Sequence, residues 1–214
     1  MIRYKSKRGY ELSPELAYCV GLLAADGCLS SDGRHIDFTS KDYEQVQVYR
    51  QIVCPHAKIG TKRNGQGQTA YRVQLGSVAF YDFLISLGLT PRKSKTIGKL
   101  AIPDDFYSDF LRGYFDGDGT TYGFQDMRWK NSFMYYTVFI SASTGFLEWL
   151  RLQNTRLMGT TTGSLRSSTS AFVLSYAKAD SQILYSFMYY NEVVPRLFRK
   201  QTKLQTFFAA DPYL

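Results

Sequence analysis

The hydrophobic pattern of this 214-residue chain predicts one order of elements, and it predicts that order twice. Each half begins with an apolar helix, continues through two strands, a second helix and a hairpin, and ends with a third helix. No pair of strands needs a parallel crossover, so we expect antiparallel sheets with the helices on one face. The predicted fold class is therefore α+β, built from two pseudo-symmetric αββαββα repeats. The predicted elements span residues 14–26, 35–39, 42–53, 59–63, 70–75 and 78–87 in the first half, and 104–118, 120–124, 133–141, 146–158, 160–166, 171–176 and 181–190 in the second.

The first helices of the two halves end in the same way. Residues 19–27 have the sequence CVGLLAADG, and residues 111–119 have the sequence LRGYFDGDG. Small residues four positions apart lie on one helix face, where they let two helix backbones approach closely. We expect the two helices to pack through these small residues and to direct their bulky residues into two separate cores. The small residues of this predicted helix interface are Gly21, Ala25, Gly113 and Gly117.

An acid and then a glycine close each helix, as Asp26-Gly27 and Asp118-Gly119. The glycines are expected to adopt the left-handed C-cap conformation. If the helices pack side by side and parallel, the two carboxylates meet at helix ends that already carry partial negative charge. Their repulsion would raise a pKa unless a cation intervened, and carboxylate-bound Mg²⁺ can hold the reacting oxygens of a phosphodiester. The predicted metal site comprises Asp26 and Asp118 with the preceding residues Ala25 and Gly117. A single apolar helix ending in Asp-Gly is also common without any metal, so the prediction depends on the matched pair.

Both segments resemble the signature of the LAGLIDADG homing endonucleases, in the single-chain form that carries two motifs. The resemblance covers about residues 12–208, and the second copy, FLRGYFDGDG at 110–119, is the closer match. In the first copy Ala24 replaces the first aspartate of the pattern, a position that is not a metal ligand in the family. The resemblance implies two half-domains, 1–98 and 99–214, each with a saddle-shaped antiparallel sheet that binds DNA, which meet at the signature helices.

The resemblance also implies an activity and further site residues. A monomer would hydrolyse both strands of a long asymmetric double-stranded DNA target, leaving staggered 3′ overhangs. Asp26 and Asp118 would share two or three Mg²⁺ ions. Basic residues after the third helix of each half, Lys93 and Lys200, would act near the scissile phosphates. Polar residues at strand ends, Ser40 and Ser141, would help to arrange water.

Charge supports a polyanionic partner. The net charge is +8 and the isoelectric point is about 9.3. A solvated β-ribbon fits the major groove, where Arg pairs with guanine and Gln or Asn pairs with adenine. The polar residues at strand spacing that we expect to contact DNA are Ser30, Arg34, Asp37, Thr39, Lys58, Lys62, Asn64, Gln66, Gln68, Arg72 and Gln74 in the first half, and Thr121, Tyr122, Gln125, Arg128, Lys130, Ser164, Arg166 and Ser168 in the second.

Other classes of protein fit this sequence less well. No stretch is long and apolar enough for a membrane span, and the first eleven residues form no secretion signal. Three cysteines without a C-x-x-C pair are typical of free thiols in an intracellular protein. Only two histidines are present, His35 and His56, which argues against a histidine-based metal site.

Two alternatives share the scaffold. An intron maturase would use the basic surface to bind folded intron RNA and would not need the acids. A non-catalytic DNA-binding regulator would have degenerate acids. Retention of both Asp26 and Asp118 favours the nuclease.

Overall fold

The computed structural model describes residues 9–63, 67–127 and 133–210. Across these ranges the element order is αββαββα, repeated, with one more helix at the end. The first repeat contains α1 (Pro14–Asp26), β1 (Gly27–Leu29), β2 (His35–Ser40), α2 (Tyr43–Val53), β3 (Gly60–Arg63), β4 (Thr69–Gly76) and α3 (Val78–Ser86). The second contains α4 (Tyr107–Asp118), β5 (Thr120–Gln125), β6 (Phe133–Ser141), α5 (Thr144–Met158), β7 (Ser164–Ser167), β8 (Phe172–Tyr176), α6 (Lys178–Met188) and α7 (Phe198–Ala209).

Local sequence signals fix several of these boundaries. The Ser13 hydroxyl accepts the backbone N–H of Leu16 and caps α1, while Pro14 occupies the first helical turn. Ser77 and Ser143 cap α3 and α5 in the same way. The helix expected from residue 104 begins instead with a 3₁₀ turn, Asp104–Phe106, and α4 follows it.

Each repeat forms one four-stranded antiparallel sheet, in the order β1-β2-β4-β3 and β5-β6-β8-β7. In the first sheet Phe38 pairs with Val73, and in the second Phe139 pairs with Leu174; all four side chains are buried. Alternation then leaves the opposite face of each sheet open, as expected for an antiparallel sheet with helices on one side. The predicted α+β class and the two-repeat architecture are confirmed.

The two signature helices, α1 and α4, pack backbone against backbone. A Cβ atom added to Gly21 would overlap the carbonyl oxygen of Phe110, and one added to Gly113 would overlap that of Tyr18. One added to Gly117 would overlap the Cβ of Ala25. Contacts therefore advance in the same direction along both helices, so the helices are parallel and their C-terminal ends meet.

The expected pair of separate cores is not found. Buried apolar side chains of both repeats form one continuous cluster, which includes Leu22 and Leu23 of α1 and Phe110 and Phe115 of α4. The reason is that α1 and α4 are in backbone contact, so the apolar side chains on both sides of the helix pair join into one cluster.

The expected left-handed caps are also wrong. Gly27 has φ −80° and Gly119 has φ −78°, both extended, so each strand starts directly at the helix end. Glycine is needed here for space: a Cβ on Gly27 would lie 2.6 Å from the Cα of Leu23, and one on Gly119 would lie 2.5 Å from the carbonyl oxygen of Phe115.

None of the helices in the described ranges is long and apolar enough to cross a membrane. The three cysteines are free thiols. Cys19 and Cys54 are buried and Cys28 is exposed on β1.

Candidate active site and DNA-binding faces

Asp26 and Asp118 are the last residues of α1 and α4 and lie at the common end of the helix pair. The Oδ2 atom of Asp26 would be 3.5 Å from a Cβ placed on Gly117 of the other helix. Although Asp26 keeps one side open to solvent, partial burial of its carboxyl group and the charge of Asp118 raise its pKa to about 6. Burial also raises the pKa of Asp118. The negative charge of Asp118 therefore disfavours ionisation of Asp26.

Lys93 and Lys200 lie at the same helix ends, and both are buried. The Lys93 amine donates a hydrogen bond of 2.7 Å to the carbonyl oxygen of Gly27. The Lys200 amine donates to the carbonyl oxygens of Phe115, Gly117 and Gly119 at 2.8, 2.9 and 2.5 Å. Cations are favourable at the negative end of the helix dipole. Burial lowers the pKa of both lysines, that of Lys200 to about 8, and their charges lower the pKa of both acids.

The oxygen donors at these helix ends suit a hard divalent cation. Two carboxylates that repel each other gain from a positive charge between them. The carbonyl oxygen of Gly117 already accepts from Lys200, which makes it less available to a metal ion. Among the described residues no group of three or more Asp, Glu, His or Cys side chains forms a complete metal cage. A bound ion would therefore need oxygens from the substrate or water as well.

A cleft of about 390 Å³ opens beside Asp26, between the two repeats. Gln45 of α2 lies in it and is almost fully buried. Its Oε1 accepts from Ser40 at 2.7 Å, and its Nε2 donates to the backbone oxygen of Asp116 at 2.9 Å, which joins the first repeat to the second. Sequence reasoning missed Gln45; the available signal was a polar residue on the buried face of α2.

Ser40 and Ser141 hold equivalent places at the ends of β2 and β6. The Ser40 hydroxyl accepts the N–H of Asp42 at 3.2 Å, and the Ser141 hydroxyl accepts that of Ser143 at 3.1 Å. Both serines therefore shape the turn into the next helix. Ser40 also lines the cleft beside Asp26.

The open face of the first sheet is polar. Asp37 accepts hydrogen bonds from Arg72 and from Thr39, which fixes these side chains on the face before any ligand arrives. Gln74 is exposed on the same side of β4, since it pairs with Asp37. Of the remaining predicted contacts, Lys62 is exposed on β3, Ser30, Arg34, Lys58 and Gln68 lie in the loops beside the strands, and Asn64 and Gln66 fall outside the described residues.

The second sheet requires two corrections. Thr121 is buried on the helix side of β5, and its hydroxyl donates to the backbone oxygen of Tyr136, so it does not belong to the open face. Alternation places its neighbour Tyr122 on that face. Gln125 is exposed, but it is in phase with Thr121 and so lies on the same side of β5, not on the open face. Of the other predicted contacts, Ser164, Arg166 and Ser168 are exposed on or beside β7, and Arg128 and Lys130 fall outside the described residues.

No family model and no curated protein matches this chain. Solved structures do. The homing endonuclease I-WcaI bound to its DNA recognition sequence matches with a TM-score of 0.62 at 14% identity, over 90% of this chain and 87% of that one. I-DmoI in complex with DNA and Ca matches with a TM-score of 0.58 at 14% identity, over 90% and 97%. The chain has the LAGLIDADG fold. The N-terminal LAGLIDADG domain of WhiA matches too, with a TM-score of 0.56 at 13% identity, over 90% and 88%.

The LAGLIDADG fold is thus shared by proteins named as endonucleases and by WhiA, and at these identities the likeness establishes the fold alone. The resemblance inferred from the two motifs is confirmed at that level. Activity must be argued from the residues of this chain.

The two LAGLIDADG motifs differ at Asp116, which corresponds to Ala24 in the first copy. Asp116 is buried; its Oδ2 accepts from the Tyr18 hydroxyl at 2.9 Å and from the backbone N–H of Leu197 at 2.7 Å. Its Oδ1 has no hydrogen-bond partner among the described residues, and burial raises the pKa of Asp116 to about 7. The carboxyl group therefore ties α1 and the segment before α7 to the end of α4.

Proposed function

We propose that this protein is a site-specific, divalent-metal-dependent DNA endonuclease. Acting as a monomer inside the cell, it hydrolyses both strands of a long asymmetric duplex and leaves staggered 3′ overhangs. The observation that carries the proposal is the meeting of Asp26 and Asp118 at one end of two parallel helices in backbone contact, with Lys93 and Lys200 buried beside them.

Asp26 and Asp118 would hold two or three Mg²⁺ ions, with help from the carbonyl oxygen of Ala25 and to a lesser degree that of Gly117. When bound, these ions supply positive charge and Lewis acidity at the scissile phosphates. The raised pKa of Asp26, about 6, supports this assignment, because burial and the charge of Asp118 raise it and a bound cation would favour the ionised carboxylate against both.

Lys93 and Lys200 have two roles in this proposal. Their hydrogen bonds hold the C-terminal ends of α1 and α4 and thereby fix the backbone that carries the acids. Their buried positive charges also stabilise negative charge that develops at the phosphate. With a pKa of about 8, Lys200 is mostly protonated at neutral pH.

The sheets would bind the DNA. Strands β1 and β5 begin directly after Asp26 and Asp118, so a duplex lying along both open faces passes over the acids. The first face offers Arg72, Gln74 and Lys62, which suit hydrogen bonds to base edges and phosphates. The DNA complexes of I-WcaI and I-DmoI, which share the fold, support this partner.

The test is cleavage selection from a randomised duplex pool in Mg²⁺. Wild type, Asp118→Asn and the control Asp105→Asn are compared; Asp105 is an exposed acid near the other end of α4. We expect wild type and the control to release fragments with one asymmetric consensus and staggered ends. Asp118→Asn should fail to cut at least one strand while binding the same duplex. Unchanged cleavage by Asp118→Asn would refute the assignment, and retention of folded intron RNA without DNA cleavage would favour the maturase.

A further inference from the structure

The open faces of the two sheets differ in chemistry although their backbones correspond. Strand β2 presents His35, Asp37 and Thr39, and β4 presents Arg72 and Gln74. When Ser40 at the end of β2 is aligned with Ser141 at the end of β6, most of the equivalent positions in the second sheet are aromatic or aliphatic. These residues are Tyr136, Val138 and Ile140 on β6 and Val173 on β8. The position equivalent to Gln74 is Ser175.

An aromatic ladder crosses the second face. Tyr122 of β5 lies opposite Tyr136 with ring centroids 5.2 Å apart and planes 20° apart. Phe124, two residues further along β5, lies diagonally across, with its ring centroid 6.3 Å from that of Tyr136 and planes 14° apart. Tyr122 and Phe124 are 41% and 48% exposed. Tyr122 and Phe124 each stack on Tyr136, so one face of each exposed ring is already occupied.

Beside this ladder lies a cleft of about 350 Å³ whose lining includes no acid. Ser164 and Arg166 of β7 form its outer side, and Arg166 makes no ion pair with any described residue. Ser175 lies at its base and is buried, and its Oγ atom has no hydrogen-bond partner in the described part of the chain. The surface is therefore apolar at its centre and positive at its rim, which suits a polyanion with apolar groups on its inner surface.

We propose that the second sheet recognises thymine C5-methyl groups in the major groove. The methyl group is the one apolar group that a base pair displays there, and an apolar side chain is its natural contact. Tyr122, Phe124 and Tyr136 contact the methyl groups, while Arg166 contacts a phosphate or a guanine at the edge. The half-site of the second repeat is thus thymine-rich at the contacted positions, whereas the first repeat recognises its half-site by hydrogen bonds.

This inference rests on the proposed function, since it needs a duplex on the sheets. The geometry favours methyl contacts over stacking on unpaired bases, because a stacking platform needs free ring faces and each exposed ring already stacks on Tyr136 through one face. The unpaired cation at the rim favours nucleic acid over a second copy of this chain, whose net charge is also positive.

The experiment uses the full chain and the duplex recovered by selection, in Ca²⁺ to permit binding. A photo-crosslinker on Cys28, the exposed thiol at the first sheet, identifies which half-site belongs to which repeat. Thymines of one half-site at a time are replaced by deoxyuridine, which removes only the methyl group. Binding is measured for wild type, for the double variant Tyr122→Thr/Phe124→Thr, and for the control Leu152→Gln, which removes an exposed apolar side chain on α5.

We expect deoxyuridine in the half-site of the second repeat to weaken wild-type binding by about fourfold for each fully buried methyl group. In the other half-site the change should stay below about twofold, because hydrogen bonds to the bases are unaltered. The double variant should lose the difference between thymine and deoxyuridine, and Leu152→Gln should keep it. For each protein, the ratio of its affinities for the thymine and deoxyuridine duplexes does not change if a variant is merely less stable.

The inference would be overturned if wild type bound the thymine and deoxyuridine duplexes equally, or if the selected half-site contained no thymine. Neither result would contradict the proposed endonuclease activity. Tighter binding of single-stranded than of duplex oligonucleotides would overturn the inference in favour of base stacking. If wild type formed a dimer that the double variant did not form, and wild type bound the deoxyuridine duplex as tightly as the thymine duplex, the inference would be overturned in favour of self-association. Absence of any duplex binding would overturn both proposals together.

Discussion

Lys93 and Lys200 are equivalent residues of the two repeats, and each donates hydrogen bonds at the C-terminal end of the signature helix of its own half. The two lysines differ in the number of hydrogen bonds that they donate. The Lys93 amine binds one carbonyl oxygen, whereas the Lys200 amine binds three, and both amines are largely removed from solvent. The second helix end therefore depends more on its lysine than the first.

Replacing the two lysines by methionine should destabilise the protein to different extents. We expect Lys200→Met to cost about 3 kcal/mol of unfolding free energy and Lys93→Met about 1 kcal/mol, because buried carbonyl groups lose their donor. Urea denaturation measures both. Lys99→Met, at an exposed lysine, should change stability by less than about 0.5 kcal/mol. Equal losses for Lys93 and Lys200 would contradict the difference in hydrogen bonding.

Adding a methyl group to the helix interface should be more damaging than adding one elsewhere. Gly113→Ala places a Cβ on the carbonyl oxygen of Tyr18, so α1 and α4 must separate, and we expect a loss of about 3 kcal/mol. Gly145→Ala in the first turn of α5 meets no atom within 4 Å, and should be neutral or stabilising by up to about 1 kcal/mol. Thermal unfolding of the two variants tests the contrast, and similar melting temperatures would argue against backbone contact between the helices.

Metal binding should appear as thermal stabilisation without any substrate. Mg²⁺ should raise the melting temperature of wild type and of Asp105→Asn, because it binds the folded carboxylate pair. Asp26→Asn and Asp118→Asn should each lose most of this rise. Since the pKa of Asp26 is about 6, the effect should also strengthen as pH increases from 5 to 7 and the carboxyl group ionises. A Mg²⁺ shift that survives in both variants would place the metal elsewhere.

Asp116 should make metal-free stability depend on pH. Its pKa is about 7 in the folded protein, above the ordinary value of 3.8, so the native state binds more protons than the unfolded state between these values. The contribution of Asp116 to stability therefore falls as pH rises from about 4 through 7. Asp116→Asn keeps an oxygen that can accept from Tyr18 and Leu197 but cannot ionise, so its stability should fall less over the same range. Parallel curves for wild type and Asp116→Asn would show that Asp116 does not titrate there.

Local pattern predicted the framework well. The small residues Gly21 and Gly113 identified the helix contact, and the acids that follow them identified the common helix end, because both depend on short-range spacing. The strand at Phe38 was recognisable from alternation alone. The equivalent strand of the second sheet, around Phe139, was harder to assign to a face, because apolar residues occupy both of its faces.

Features set by tertiary contacts could not be predicted in this way. Helix α7 is mostly polar and basic, so its sequence pattern did not predict a helix. Its position depends on two tertiary contacts: Leu204 is buried in the core, and Lys200 donates hydrogen bonds to α4. Gly27 resembles a helix cap, but the reason for glycine is the approach of Leu23. The role of Gln45 in the cleft depends on its hydrogen bond to the backbone of Asp116 in the second repeat, which local sequence pattern does not reveal.

The contact between α1 and α4 has a consequence for how this protein can be changed. The spacing of the two acids is set by peptide backbones in contact, with no intervening side chain whose rotamer could alter it. Substitutions on the open faces of the sheets act at a distance from that contact. If the protein is the endonuclease we propose, target preference and cutting chemistry are separable properties of one chain, and each sheet can be redesigned for a new half-site without rebuilding the other.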